Sequence, residues 1–248
     1  MARSPRRATG RLLIVQSVTS LIFVHGACVR DAAWWWSAMV EPLGNRGIET
    51  ATVALPSCGE TGDERGDLYA DVEACRRAVA EADGPVVLCG HSYGGVVITE
   101  AGADDRVTQL LYVTSVMLET GQTQAEIIGS APTPWMAPGD DGTVGVHPDL
   151  IRDLFLQDCD EATIEQALAR LTRQSVTPFM QSPRQIAWHH KPASYFVCLE
   201  DLATPAEVQH QRVRGDARAV EFDAGHHPFL SRPDAFADLI AAEIDRAG

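Results

Sequence analysis

Val86-Val87-Leu88-Cys89-Gly90-His91-Ser92-Tyr93-Gly94-Gly95-Val96-Val97 is the stretch on which the reading of this chain turns. Val86 to Cys89 is a short, continuous, β-branched-rich apolar run, the pattern of a strand buried on both faces. The run stops at Gly90, and a small-residue segment able to open a helix begins at Tyr93. Between them, Gly90-His91-Ser92-Tyr93-Gly94 has the Gly-x-Ser-x-Gly spacing of a nucleophile elbow. A serine on a sharp strand-to-helix turn holds its Oγ clear of the main chain, at the cost of a strained backbone. Side chains two residues before and after it would collide. Glycine at 90 and 94 removes them, and Gly95 lets the new helix lie close against the sheet. The spacing alone also arises by chance in glycine-rich loops; the strand upstream and the helix-compatible run downstream give it weight.

Working outward from the elbow, Leu21 to Val24 is a second buried-type strand, with Leu12 to Val15 as a preceding edge strand. His25-Gly26-Ala27-Cys28 follows, then a helix holding Trp34, Trp35, Trp36 and Met39 that ends at Gly44 to Gly47. Three adjacent tryptophans cannot share one face, so at least one is expected at a pocket or a helix–sheet seam. Ile48 to Leu55 reads as a strand, and Ser57 to Gly66 as a turn-rich loop. Leu68, Val72, Cys75 and Val79 recur at helical spacing. Beyond the elbow, Val107 to Val116 is another buried strand. Strands alternating with helices demand a mainly parallel sheet flanked by helices, an α/β fold.

The rhythm breaks between Glu119 and Arg184. Prolines 132, 134, 138 and 148 crowd a glycine-rich stretch, and apolar residues then return at helical spacing, with no strand pattern. The expected organisation is a core over 1–118, its first 10 residues a disordered basic tail, a helical cap over 119–185, and the rest of the core over 186–248. Trp135, Met136, Phe179 and Met180 are candidates to cover a pocket. The core resumes with a strand from Ala193 to Leu199 and a helix announced by Thr204-Pro205-Ala206-Glu207, which has the form of a capping box. A last strand, Ala219 to Phe222, leads to His226-His227-Pro228 and a final helix.

A serine hydroxyl needs an adjacent base, and that base needs an acid to fix its tautomer. In open α/β sheets such groups gather at the carboxyl ends of strands. Ser92, Asp201 and His226 sit at three such ends, in the order serine, acid, histidine. His227 is an alternative base, and Glu200 and Glu119 are alternative acids. Strand alternation sends Glu200 and Asp201 to opposite faces.

With these residues placed, the chain resembles an α/β-hydrolase over nearly its whole length. His25-Gly26-Ala27-Cys28, Gly90-His91-Ser92-Tyr93-Gly94 and Cys198-Leu199-Glu200-Asp201 resemble the small esterases related to plant methylesterases and hydroxynitrile lyases. The resemblance implies Ser92 as nucleophile, His226 as base and then acid, and Asp201 as the residue that orients His226. It also implies an oxyanion hole made by the N–H groups of Ala27 and Tyr93. His25, Cys28, Trp135 and His227 are expected around the substrate pocket. Two features depart from the family pattern. Val29-Arg30-Asp31 carries two charges where the methylesterase-like pattern has small residues, and His227 stands where the lyases have a lysine.

Composition narrows the partners. A net charge of −14 argues against nucleic acid and anionic membranes, and no apolar run is long enough to span a bilayer. Among 20 basic residues only Lys191 is a lysine, so Schiff-base chemistry is not expected elsewhere. Six scattered cysteines without a C-x-x-C pair fit a reduced, cytoplasmic protein. His189-His190 lacks a third ligand at metal-site spacing, and no cofactor is expected. The leading expectation is a metal-independent serine hydrolase acting on a small carboxylic ester. A thioesterase or lactonase, a lyase, and a non-catalytic receptor on the same scaffold are the alternatives. Oligomeric state is not legible in the sequence.

Overall fold

In the computed structural model, Leu21, Ile22, Phe23 and Val24 are all fully buried in strand β1 (Thr19–Val24), because helices cover both faces of the sheet it lies in. Residues 19–59, 65–129 and 133–247 are described. The expected tail over 1–10, the edge strand at Leu12 to Val15, and Pro132 lie outside them.

After β1 come two short helices, α1 (Ala32–Trp35) and α2 (Ser37–Gly44), then β2 (Ile48–Val53). Helix α3 (Leu68–Glu81), β3 (Val86–His91), α4 (Gly94–Ala101) and β4 (Val107–Val113) follow. The cap region then holds α5 (Gln124–Ile128), β5 (Met136–Pro138), β6 (Thr143–Val146), α6 (Pro148–Phe155), α7 (Glu161–Leu168) and β7 (Gln174–Ser175). The chain closes with β8 (Ala193–Cys198), α8 (Ala206–Arg212), β9 (Arg218–Phe222), α9 (Pro228–Ser231) and α10 (Pro233–Ala247).

Six strands form one sheet in the order β2-β1-β3-β4-β8-β9, with every neighbouring pair parallel. Alternation along each strand splits the core in two. Ile22, Val24, Leu88, Leu110, Tyr112 and Tyr195 pack with α3 and α4. Leu21, Phe23, Cys89, Leu111, Val113 and Phe196 pack with α2 and α10. Because the strands are parallel, their carboxyl ends open on one edge. His25, Ser92, Thr114 and Asp201 follow β1, β3, β4 and β8 there, and His226 follows β9.

Two local expectations change. The cap carries helices, but it also contains a three-stranded antiparallel sheet in the order β5-β6-β7. Strands of 3, 4 and 2 residues are too short for alternation to register in a sequence. The Thr204 capping box does not form: α8 begins after Pro205 with no side-chain cap. The Thr204 N–H instead donates to Asp201 Oδ1 at 2.9 Å.

The cap is stitched to the loop after β1. Arg30 N–H donates to Arg170 O and Thr172 N–H to Cys28 O, around a Val29–Leu171 bridge. The three tryptophans divide as geometry requires. Trp36 is fully buried and stacks on Phe23, with ring centroids 4.1 Å apart. Trp35 lines the cavity at the end of β3 where Ser92 sits, and Arg170 lies over Trp34.

Candidate active site

The elbow is built by sterics. Ser92 adopts a left-handed φ of 49°, a strained conformation for a residue with a Cβ. A Cβ on Gly90 would lie 2.6 Å from Gly94 O, one on Gly94 2.2 Å from Val24 O, and one on Gly95 1.8 Å from Ser115 Oγ. The turn is pinned from β4: Ser92 N–H donates to Val113 O at 2.9 Å, and Ser115 Oγ donates to Ser92 O at 2.5 Å.

Asp201 and His226 come together from two separate strand ends. His226 Nδ1 lies 2.7 Å from Asp201 Oδ2, and both side chains are buried. The carboxylate accepts, so Nδ1 carries the hydrogen of this bond. The Ala203 and Thr204 N–H groups hold Asp201 Oδ1 at 2.9 Å each. The backbone of His226 is fixed in turn, its carbonyl accepting from His91 Nε2 at 3.0 Å and Thr114 Oγ1 at 3.3 Å. The other acids are engaged elsewhere: the Glu200 carboxylate pairs with Arg232, and Glu119 with His189.

The other histidines lining the cavity, His25, His91 and His227, are walls. His227 Nδ1 donates to Phe155 O at 2.9 Å. Burial, reinforced by neighbouring His226, pushes its pKa down to about 3, so it stays neutral. Burial also lowers His25 to about 4. Within the elbow, burial holds His91 far below its usual range. The Cys28 thiol is raised to about 12 by burial and sits against Val144 O, a poor setting for a nucleophilic thiolate.

Ser92, His226, Ala27, His25, Cys28, Trp135 and His227 line one cavity of about 280 Å³. Its walls are largely apolar, with Val29, Trp35, Phe155, Leu171 and Phe179 among them. Met180, expected as part of the cover, is 65% exposed and does not line it. His25 Nε2 and Gln124 Oε1 are buried without a hydrogen-bond partner among the described residues, and both side chains line the cavity.

A buried chain ties the loop after β1 to the elbow, and sequence reasoning missed it. The Cys28 N–H donates to Gln174 Oε1 at 2.9 Å, and Gln174 Nε2 to Ser57 Oγ at 2.9 Å. Ser57 Oγ and Tyr93 Oη both donate to Asp71 Oδ2 at 2.6 Å, while Ser57 N–H donates to Asp71 Oδ1 at 2.9 Å. Burial raises the Asp71 carboxyl to about 6 against these hydrogen bonds. One signal was available: Asp71 is three residues after Leu68, a carboxylate on the apolar face of α3.

Among the described residues no group of three or more histidine, cysteine or acidic side chains could hold a metal ion. No helix there is long and apolar enough to cross a membrane.

Comparison with known proteins agrees with the fold. The alpha/beta hydrolase family model matches residues 21–239. A pyrethroid hydrolase of Sphingobium wenxiniae is 30% identical over 253 residues, covering 92% of this chain and 89% of the relative. Methylesterase 8 of Arabidopsis thaliana is 24% identical over 250 residues, 91% of this chain and 89% of the relative. The crystal structure of a pyrethroid hydrolase from Sphingobium faniae superposes with a TM-score of 0.80 at 27% identity, covering 92% of this chain and 97% of that one.

Proposed function

This chain belongs to the alpha/beta hydrolase family and is a hydrolase; we propose that it cleaves a small carboxylic ester through an acyl-enzyme on Ser92. The observation that carries this reading is the 2.7 Å pairing of His226 with Asp201 beside a cavity that Ser92 also lines. His226 Nε2 takes the proton of Ser92 Oγ as the oxygen attacks the acyl carbon. The negative charge that develops on the carbonyl oxygen is met by the N–H groups of Ala27 and Tyr93, each such donor contributing on the order of 3 kcal/mol. Collapse expels the alcohol, which receives the proton from His226. Water, deprotonated by the same nitrogen, then releases the acid. Asp201 keeps the proton on Nδ1 throughout and stabilises the imidazolium.

Several features support a compact, uncharged reacting group and a free small-molecule substrate. The cavity is small and mostly apolar, and the net charge of −14 repels nucleic acid and anionic membranes. The six cysteines are free, which favours a reducing compartment such as the cytoplasm. The lyase alternative loses ground at His227, which supplies no cation beside His226. Thioesters and lactones would pass through the same acyl-enzyme and are separated from esters by relative rate.

The test is hydrolysis of p-nitrophenyl esters of increasing acyl length, with Ser92→Ala alongside. The reading expects activity on short chains that declines with length and is absent in the variant. A folded protein inactive on all of them, or a variant that keeps its turnover, overturns it.

A further inference from the structure

Arg212 is the one formally charged side chain lining the active-site cavity among the described residues. It ends α8, whose position is locked from beneath by the buried Gln209. That side chain accepts from Cys198 N–H at 3.0 Å and donates to Cys198 O at 3.0 Å and Thr204 O at 2.7 Å. Ala203, Thr204, Pro205 and Val208 of the same segment line the cavity beside it. One wall of the site is therefore a rigid element with a guanidinium at its end.

That guanidinium is under-used. It carries five N–H donors, and its hydrogen bonding among the described residues is a single 3.5 Å approach of Nη1 to Ser115 O. The distance is at the outer limit, and the same oxygen already accepts from Tyr195 Oη at 2.6 Å. No carboxylate pairs with Arg212 among the described residues, in a chain with 34 acidic side chains. By contrast Arg46, Arg76, Arg152, Arg170, Arg218, Arg232 and Arg246 each have an acidic partner, and Arg106 and Arg173, which have none among the described residues, are each held by at least two carbonyl or hydroxyl oxygens. A helix C-terminus explains a basic residue at this end. It does not explain why that residue turns into an apolar cavity without a counter-ion. Ser115 also places the charge near the chemistry: Arg212 approaches its carbonyl, and its Oγ holds Ser92 O.

We propose that Arg212 is a specificity-determining residue that binds a free carboxylate on the substrate, so that the ester cleaved bears a second, anionic end. This rests on the esterase reading above. A guanidinium fork matches a carboxylate with two parallel N–H···O bonds, and apolar surroundings strengthen the pairing.

Two matched pairs of esters test it. Mono-4-nitrophenyl glutarate and 4-nitrophenyl pentanoate differ by a carboxylate on the acyl side; 4-acetoxybenzoate and phenyl acetate differ by one on the alcohol side. The ratio of kcat/KM within each pair is measured for the wild type, Arg212→Met and Arg212→Lys, which cancels intrinsic leaving-group differences. In at least one pair the preference for the carboxylate ester is expected to fall at least tenfold in Arg212→Met and to be partly retained in Arg212→Lys. Preferences in both pairs that are the same in wild type and Arg212→Met overturn the anion site alone. Hydrolysis of none of the four esters by a folded wild type overturns the esterase reading, and the site with it.

Discussion

Asp201 and Glu200 are neighbours in the chain, yet only one of them meets His226. Asp201 Oδ2 lies 2.7 Å from His226 Nδ1, while the Glu200 carboxylate points to Arg232 at half exposure. The account predicts that Asp201→Asn lowers kcat by roughly 10³–10⁴-fold, the effect of holding a catalytic imidazole in the wrong tautomer. Glu200→Gln should stay within about twofold, since exposed pairs contribute little. Steady-state kinetics on one ester decides, and equal losses would contradict the assignment. Asp71 behaves differently because it is buried with its carboxyl raised to about 6 from an ordinary 3.8. The folded state binds its proton more tightly than the unfolded chain, so its contribution to stability is full below about pH 4. That contribution is lost as pH rises through about 6. Urea unfolding of wild type and Asp71→Asn should therefore show the wild type losing on the order of 3 kcal/mol relative to the variant over that window. A constant difference would contradict it. Ser92, Asp201 and His226 stand out in the sequence because each follows a strand end, and alternation puts Asp201 forward over Glu200; the loop N–H groups of Ala203 and Thr204 that hold its carboxylate write no pattern. The Asp71–Tyr93 contact was illegible for a similar reason, since its partners come from 22 and 14 residues away, and Gln174 from farther still.

At the level of elements, the elbow works only if α4 can start against the end of β1. A Cβ at Gly94 meets the backbone oxygen of Val24 at 2.2 Å, and backbone cannot step aside as a side chain can. Gly94→Ala is predicted to destabilise by about 3 kcal/mol. In contrast Gly44→Ala, at the end of α2 with nothing within 4 Å of the new methyl, should be neutral or stabilising by about 0.5 kcal/mol. Thermal unfolding of the two variants checks this, and a tolerated Gly94→Ala would contradict the packing argument. The parallel strands were legible because burial on both faces writes a continuous apolar run, as in Leu21 to Val24 and Val86 to Cys89. The cap strands were not. Pairing of such short segments depends on the turn at Gly142, φ 72°, and on Asp141 Oδ1 accepting from Thr143 N–H at 3.1 Å, rather than on any period.

For the whole molecule, the site exists only because distant segments converge on one edge of the sheet. Ser92, Asp201 and His226 come from three strand ends, the pocket walls Trp135, Phe155 and Leu171 come from the cap, and Arg212 comes from a helix between two of the strands. Alternation and strand order were enough to foresee the first group. The depth of the cavity depends on how the cap sits on the loop after β1 through Arg170, Thr172 and Leu171, which no local pattern encodes. The most direct measurement is to quench the enzyme during turnover of 4-nitrophenyl acetate and locate the acetyl group by peptide mass spectrometry. The account predicts one acetyl group per chain, on the peptide containing Ser92. The adduct on another residue, or no adduct there despite a pre-steady-state burst of 4-nitrophenol, would contradict it.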